Sequence, residues 1–164
     1  MGSSPDARAR PSGALFLTRT RYFAAGENGG HILNQAEANA DVVRRGCAAF
    51  NAADIKTLTE LMPENASWHT PGRSRIAGDH TGRDAVFAQF GRYGGETNGT
   101  FKADLKQVFG SDNGRVVAIH HNSGERNGKR LDSDCCIVFE IKNGQMVSGR
   151  EHFVDLHNWD AFWA

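Results

Sequence analysis

Small and apolar residues recur at Val42, Val43, Gly46, Cys47 and Phe50, a spacing that lays one stripe along a helix over residues 36–50. Asn51-Ala52-Ala53-Asp54 breaks the stripe. Asp54 can cap a second, short helix whose face is Ile55, Leu58, Leu61 and Met62, and Pro63 ends it. Residues 66–70 predict a short strand closed by Pro71-Gly72, followed by a loop through Gly78 and Gly82. Val86, Phe87 and Phe90 mark a third short helix over 84–90. The period then changes from helical to alternating. Phe101, Ala103, Leu105, Gln107 and Phe109 alternate with Lys102, Asp104 and Lys106, as in a half-buried strand. Three longer strands follow, over 115–126, 129–142 and 145–154, joined by Asn127-Gly128 and Asn143-Gly144. Asn-Gly between two alternating runs is a strong signal for a two-residue hairpin. Asp155 can cap a last helical turn bearing Trp159, Phe162 and Trp163.

Helices first and an antiparallel meander afterwards predict an α+β fold, with the helices on one face of the sheet. If the sheet curls, the structure is a cone whose cavity lies between the helices and the concave face. The 164 residues leave room for one core, expected over residues 35–164. Residues 1–34 read differently. From Ala7 to Gly30 the chain carries Arg8, Arg10, Arg19 and Arg21 against one acid, Glu27. A disordered leader is expected there, and an Arg-rich, acid-poor stretch also fits a transit peptide.

Charge narrows the partners. Lys+Arg and Asp+Glu balance at 19 each, so the chain lacks the basic surface that nucleic acid demands. No apolar run approaches the roughly 20 residues of a membrane helix. Cys47, Cys135 and Cys136 make no disulfide framework, which points to a reducing, cytoplasmic setting. His69, His80, His120, His121 and His152 show no recognised ligand spacing, so neither a metal nor a cofactor is called for.

Three runs carry a family resemblance: Phe50-Asn51-Ala52-Ala53-Asp54, Ala66-Ser67-Trp68-His69-Thr70-Pro71-Gly72, and Gly78-Asp79-His80-Thr81-Gly82-Arg83-Asp84-Ala85-Val86. With Glu140 to Val147, His152 to Asp155 and Trp159 to Trp163, they resemble the nuclear transport factor 2-like superfamily, in its SnoaL-like and ketosteroid-isomerase-related branch. The resemblance covers about residues 36–164 and implies the cone fold. It also implies a pocket for a small organic molecule, and a homodimer formed through the sheet. Aligned on it, the isomerase base falls on Thr70, and the isomerase oxyanion-binding Tyr and Asp fall on Gly46 and Ile137. The polyketide-cyclase Asp also falls near Ile137, and the epoxide-hydrolase Arg, Asp and Asp fall on His120, Asn122 and His152. Each familiar catalytic acid is thus replaced. The resemblance leaves open a cofactor-independent isomerase, cyclase, hydrolase, hydratase or dehydratase, a non-catalytic binder, and a dimeric assembly module.

Counting residues through the hairpins gives a second view of the pocket. With two-residue turns at both Asn-Gly pairs, His120 lies opposite Cys135 and Cys135 opposite His152, so the three share a face. By alternation Asn122, Ile137, Phe139, Ser148 and Arg150 join them, and His121, Asp132, Asp134, Glu140 and Glu151 take the other face. Two imidazoles in one cavity can exchange protons near neutral pH, which makes His120 and His152 the candidate acid and base, with Asn122 or Arg150 orienting an oxygen. Trp68, His69, Thr70, Phe87, Phe90, Cys135, Ile137 and Arg150 complete the candidate binding set. A one-residue bulge at either turn would invert the last strand and bring Glu151 inside in place of His152. On the outward face, Val138, Val147 and Phe153 are the apolar residues expected at a dimer contact.

Overall fold

A computed structural model describes residues 34–164. The leader expected at 1–34 lies, apart from Asn34, outside the described residues. Helix α1, Gln35–Asn51, starts where the Asn34 side chain accepts the Glu37 backbone N–H at 2.8 Å. Ala53, at φ 52°, turns the chain, and Asp54 accepts the Thr57 N–H at 3.1 Å to open α2, Ile55–Leu61. Strands β1, Ser67–Thr70, and β2, Gly78–Thr81, precede α3, Arg83–Gly95. The meander follows as β3, Lys102–Gly110; β4, Arg115–Arg126; β5, Lys129–Lys142; and β6, Gln145–Phe153. Helix α4, Leu156–Trp163, is capped by Asp155, which accepts the Asn158 N–H at 2.8 Å.

The six strands form one sheet in the order β2-β1-β6-β5-β4-β3. The expected α+β architecture holds, with the β3 to β6 meander antiparallel throughout. Three features differ from the sequence reading. The segment expected as a loop through Gly78 and Gly82 contains β2, which pairs antiparallel with β1. Strand β1 pairs in parallel with β6, so the sheet is mixed. Helix α3 runs on from Phe90 to Gly95 and carries Tyr93 into the interior.

Two bulges set which residues face inward. In β3 the register shifts between Leu105 and Gln107, so Val108 turns in and Phe109 is left 56% exposed. In β6, Met146 pairs with Ile141 and Ser148 with Glu140, which leaves Val147 unpaired. Beyond that extra residue every side chain of β6 is on the opposite face from the regular count. Glu151 therefore faces inward opposite Ile137, and His152 and Arg150 are exposed. Phe153 also turns in, stacking on Trp159 at 3.8 Å between centroids. The β4–β5 hairpin has no such insertion. Asn127 and Gly128 both adopt positive φ, as a two-residue turn requires, and His120 pairs with Cys135 as counted.

Two apolar clusters fill the space between helices and sheet. Val42, Val43, Val86, Ile137 and Phe139 belong to one; Tyr93, Phe101, Trp159 and Trp163 belong to the other, beneath α4. Trp68 lies across Gly149, its partner on β6, so closely that a Cβ at Gly149 would collide with the indole ring. Among the described residues no helix is long and apolar enough to cross a membrane. Gly149→Ala should cost about 1–3 kcal/mol of stability in denaturant unfolding, because the indole must leave its seat. A loss below about 0.5 kcal/mol, the range of an ordinary surface substitution, would show that Trp68 is not held there.

Candidate functional site

Three elements converge on one carboxyl. Glu151 comes from the inward face of β6, Thr70 from the end of β1 and Tyr93 from the last turn of α3. The Tyr93 hydroxyl donates to both Glu151 oxygens, at 3.3 and 3.2 Å, and lies 3.1 Å from the Thr70 hydroxyl. Glu151 is 4% exposed. Burial disfavours its charged form and pushes its pKa up from 4.5 to about 7, against the smaller opposing pull of Thr70, Tyr93 and Trp68. The same burial, with the Glu151 charge beside it, holds the Tyr93 phenol well above its ordinary value.

Glu151 opens onto a cavity of about 60 Å³. Phe50, Trp68, Phe90, Phe101, Ile137 and Phe139 supply most of its apolar wall. His120, Asn122 and Cys47 supply its remaining polar groups besides Glu151 and Tyr93. His120 is 1% exposed, and its Nε2 lies 3.1 Å from Cys47 Sγ. Desolvation lowers the imidazole to about 4 and raises the thiol to about 12, so near neutral pH both are uncharged. His120 Nδ1 is buried without a hydrogen-bond partner among the described residues. A buried polar atom of this kind calls for a partner that the side chains around it do not supply.

The candidate residues read from the sequence divide between this cavity and the exterior. His120, Asn122, Trp68, Phe90 and Ile137 line it. Thr70 stands behind it, bonded to Tyr93. Cys135 is buried in the core beside it, and Phe87 borders a neighbouring hollow. His69 points away by strand alternation and pairs with Asp79 at 2.6 Å. The Val147 bulge places His152 and Arg150 outside, so the expected pair of facing imidazoles does not form. Cys47 and Tyr93 were not among the candidates, and Glu151 was the alternative to His152 that a bulge would bring inside. A bulge in the last strand was the only sequence signal for Glu151, and Tyr93 lay beyond the expected end of its helix. Among the described residues no three His, Cys, Asp or Glu side chains come together as a metal site would require.

Comparison with known proteins agrees with this fold. The SnoaL-like domain family matches residues 43–149. An uncharacterised protein of Mycobacterium tuberculosis is 30% identical over 128 residues, which are 78% of this chain and 98% of that one. The structure of Bal32a, from a soil-derived mobile gene cassette, is 71% identical, covers 80% of this chain and all of that one, and superposes with a TM-score of 0.78. A nuclear transport factor 2-like protein of Burkholderia xenovorans shares the fold at 20% identity, with a TM-score of 0.67 over 79% of this chain and 98% of that one.

The Glu151 shift has a thermodynamic consequence. Its pKa is higher folded than unfolded, so between about pH 4.5 and 7 the folded state binds more protons, and stability from this group falls as pH rises. His120 acts in the opposite sense, since its pKa is lower folded, and stability is lost as pH falls from about 6.5 to 4. The informative quantity is therefore the difference between the native chain and Glu151→Gln. Measured by urea unfolding, the native chain should lose about 3 kcal/mol relative to the variant across pH 4.5 to 7. A difference that stays flat with pH would show that Glu151 titrates as an ordinary carboxyl.

Proposed function

Because the chain belongs to the SnoaL-like domain family, we propose that it binds one small, partly apolar organic molecule and moves a proton on it, with Glu151 as the general acid and base. The observation that carries this reading is a buried carboxyl, brought to about 7, on the wall of an apolar cavity that His120 and Asn122 also line. A group with its pKa near the working pH can both take and return a proton. On a substrate with an acidic C–H beside a carbonyl, the Glu151 carboxylate takes the proton and the electron pair moves onto the carbonyl oxygen. The Asn122 amide and the N–H that His120 presents when its proton is on Nδ1 can stabilise that oxygen. Glu151 then returns the proton to another carbon, or the enolate reacts further within the cavity. Tyr93 holds the carboxyl in place, and the aromatic wall keeps water from taking the proton. Each of these steps uses groups of the chain itself.

Isomerisation, cyclisation and dehydration all begin with such a step, and the cavity favours none of them. A binder without turnover would use the same polar groups. Their presence on both readings makes turnover the deciding measurement. For assembly we propose a homodimer through the outer sheet face, where Val117, Val138 and Val147 are only half-buried and Phe109 is exposed. Cytoplasmic residence is proposed from the three unpaired thiols.

Deuterium wash-in next to the carbonyl of small cyclic ketones, followed by NMR in heavy water, tests the proton transfer. The protein should accelerate exchange over buffer. Glu151→Gln should cut that acceleration by about 100-fold or more, and His152→Ala should leave it unchanged. Ketones that bind but do not exchange would favour the binder. Light scattering at micromolar concentration should give twice the chain mass, and Val138→Lys should halve it; a native chain that runs as a monomer would remove the dimer proposal.

A further inference from the structure

A second hollow, of about 250 Å³, lies against the first. The two share Phe50, Leu58, Phe90 and Phe101 in their walls, so these side chains stand between an inner chamber and an outer one. Phe50 is central to the partition. Its ring meets Phe90 edge-on at 5.2 Å and Phe101 edge-on at 6.2 Å. It lies at the last turn of α1, meets Tyr93 edge-on at 6.4 Å, and is only half-buried. The inner chamber, at about 60 Å³, is well below the roughly 300–1,000 Å³ of an ordinary small-molecule site, and the outer hollow brings the whole to the lower edge of that range.

Part of the wall of the outer hollow is bare backbone. Gly91 and Gly94 of α3 line it. Both have negative φ, and a Cβ at either would meet nothing within 4 Å. Neither strain nor crowding requires glycine there, and apart from proline, glycine is the poorest helix former. What the missing side chains provide is width, next to Phe87 and Phe90. A wall on which aromatic rings lie beside bare glycine backbone suits a planar apolar group.

We propose that the outer hollow is a second subsite, which takes the flat, apolar ring portion of a ligand whose oxygen-bearing end enters the inner chamber. Gly91 and Gly94 set the size of ring system admitted, and Phe50 is the side chain that yields to join the chambers. The polar end rests on the reading of Glu151 given above; the ring end does not.

Phenol and 2-naphthol serve as probes of one and two rings, with binding followed by titration calorimetry. The native chain should bind 2-naphthol about tenfold or more tightly than phenol, because the second ring is buried in the hollow. Gly94→Leu should bring 2-naphthol to within about twofold of phenol and change phenol itself by less than about twofold. Its thermal midpoint should not fall, since leucine is the better helix former, and Gly91→Leu provides an independent second wall variant. Equal binding of the two probes by the native chain, or 2-naphthol binding that both leucine variants leave intact, would overturn the proposal. Glu151→Gln should weaken phenol and 2-naphthol alike. If it weakens neither, the polar-end reading fails, and the comparison between one ring and two still decides the hollow.

Discussion

The hydrogen bonds from Tyr93 to Glu151 join the helical layer to the sheet at the place where the cone is hollow. A carboxyl there is expensive, since taking a charged group out of water costs several kcal/mol unless polar partners replace the water. The fold meets that cost in two ways. Tyr93 and Thr70 supply the replacement bonds, and the group holds its proton to a higher pH than a free glutamate would. The aromatic shell enforces the second effect. Phe50, Phe90, Phe101 and Trp68 keep water from the carboxyl and are fixed by edge and stacked contacts with one another and with Tyr93. The packing that stabilises the domain is therefore the packing that tunes the acid.

Around the cavity, neutrality is the rule. Cys47 and Tyr93 keep their protons through the physiological range, and His120 stays without a second one. Glu151 is the one group of the four that changes charge near neutral pH. Cys47 and His120, at 3.1 Å, have the spacing of a nucleophile and its base, yet burial without a nearby countercharge opposes the thiolate–imidazolium form. A site of this sort handles one proton at a time. The uncharged donors around it suit an oxygen that gains charge only during reaction.

The sequence made most of the fold legible because its punctuation is strong. The caps at Asp54 and Asp155 and the positive-φ Asn-Gly turns are local features, and local chemistry decides them. The placement of His120, Asn122, Ile137 and Trp68 followed from strand alternation and one regular hairpin. What was not legible depended on single-residue insertions. Val147 enters β6 without a glycine or proline to mark it, and one residue is enough to exchange Glu151 for His152. Strand β2 was hidden for another reason. Gly78-Asp79-His80-Thr81 has loop composition, and pairing with β1 makes a strand of it, which is tertiary context overriding propensity.

The position where the isomerase resemblance looks for a phenol holds Gly46, and a Cβ there would meet the Met146 methyl group at 2.5 Å. That place is filled by a thioether from β6, which would have to move aside for any side chain on α1. The phenol reaches the cavity from α3 instead, as Tyr93, and the acid from β6, as Glu151. The chemical groups converge although their origins in the chain differ. The cone permits this because several elements point side chains into one small volume, so a hydroxyl or carboxyl can enter from whichever wall has space for it. Aligned on the family resemblance, the sequence has the familiar acids missing. The geometry finds a carboxyl and a phenol in contact, supplied from other walls of the same hollow.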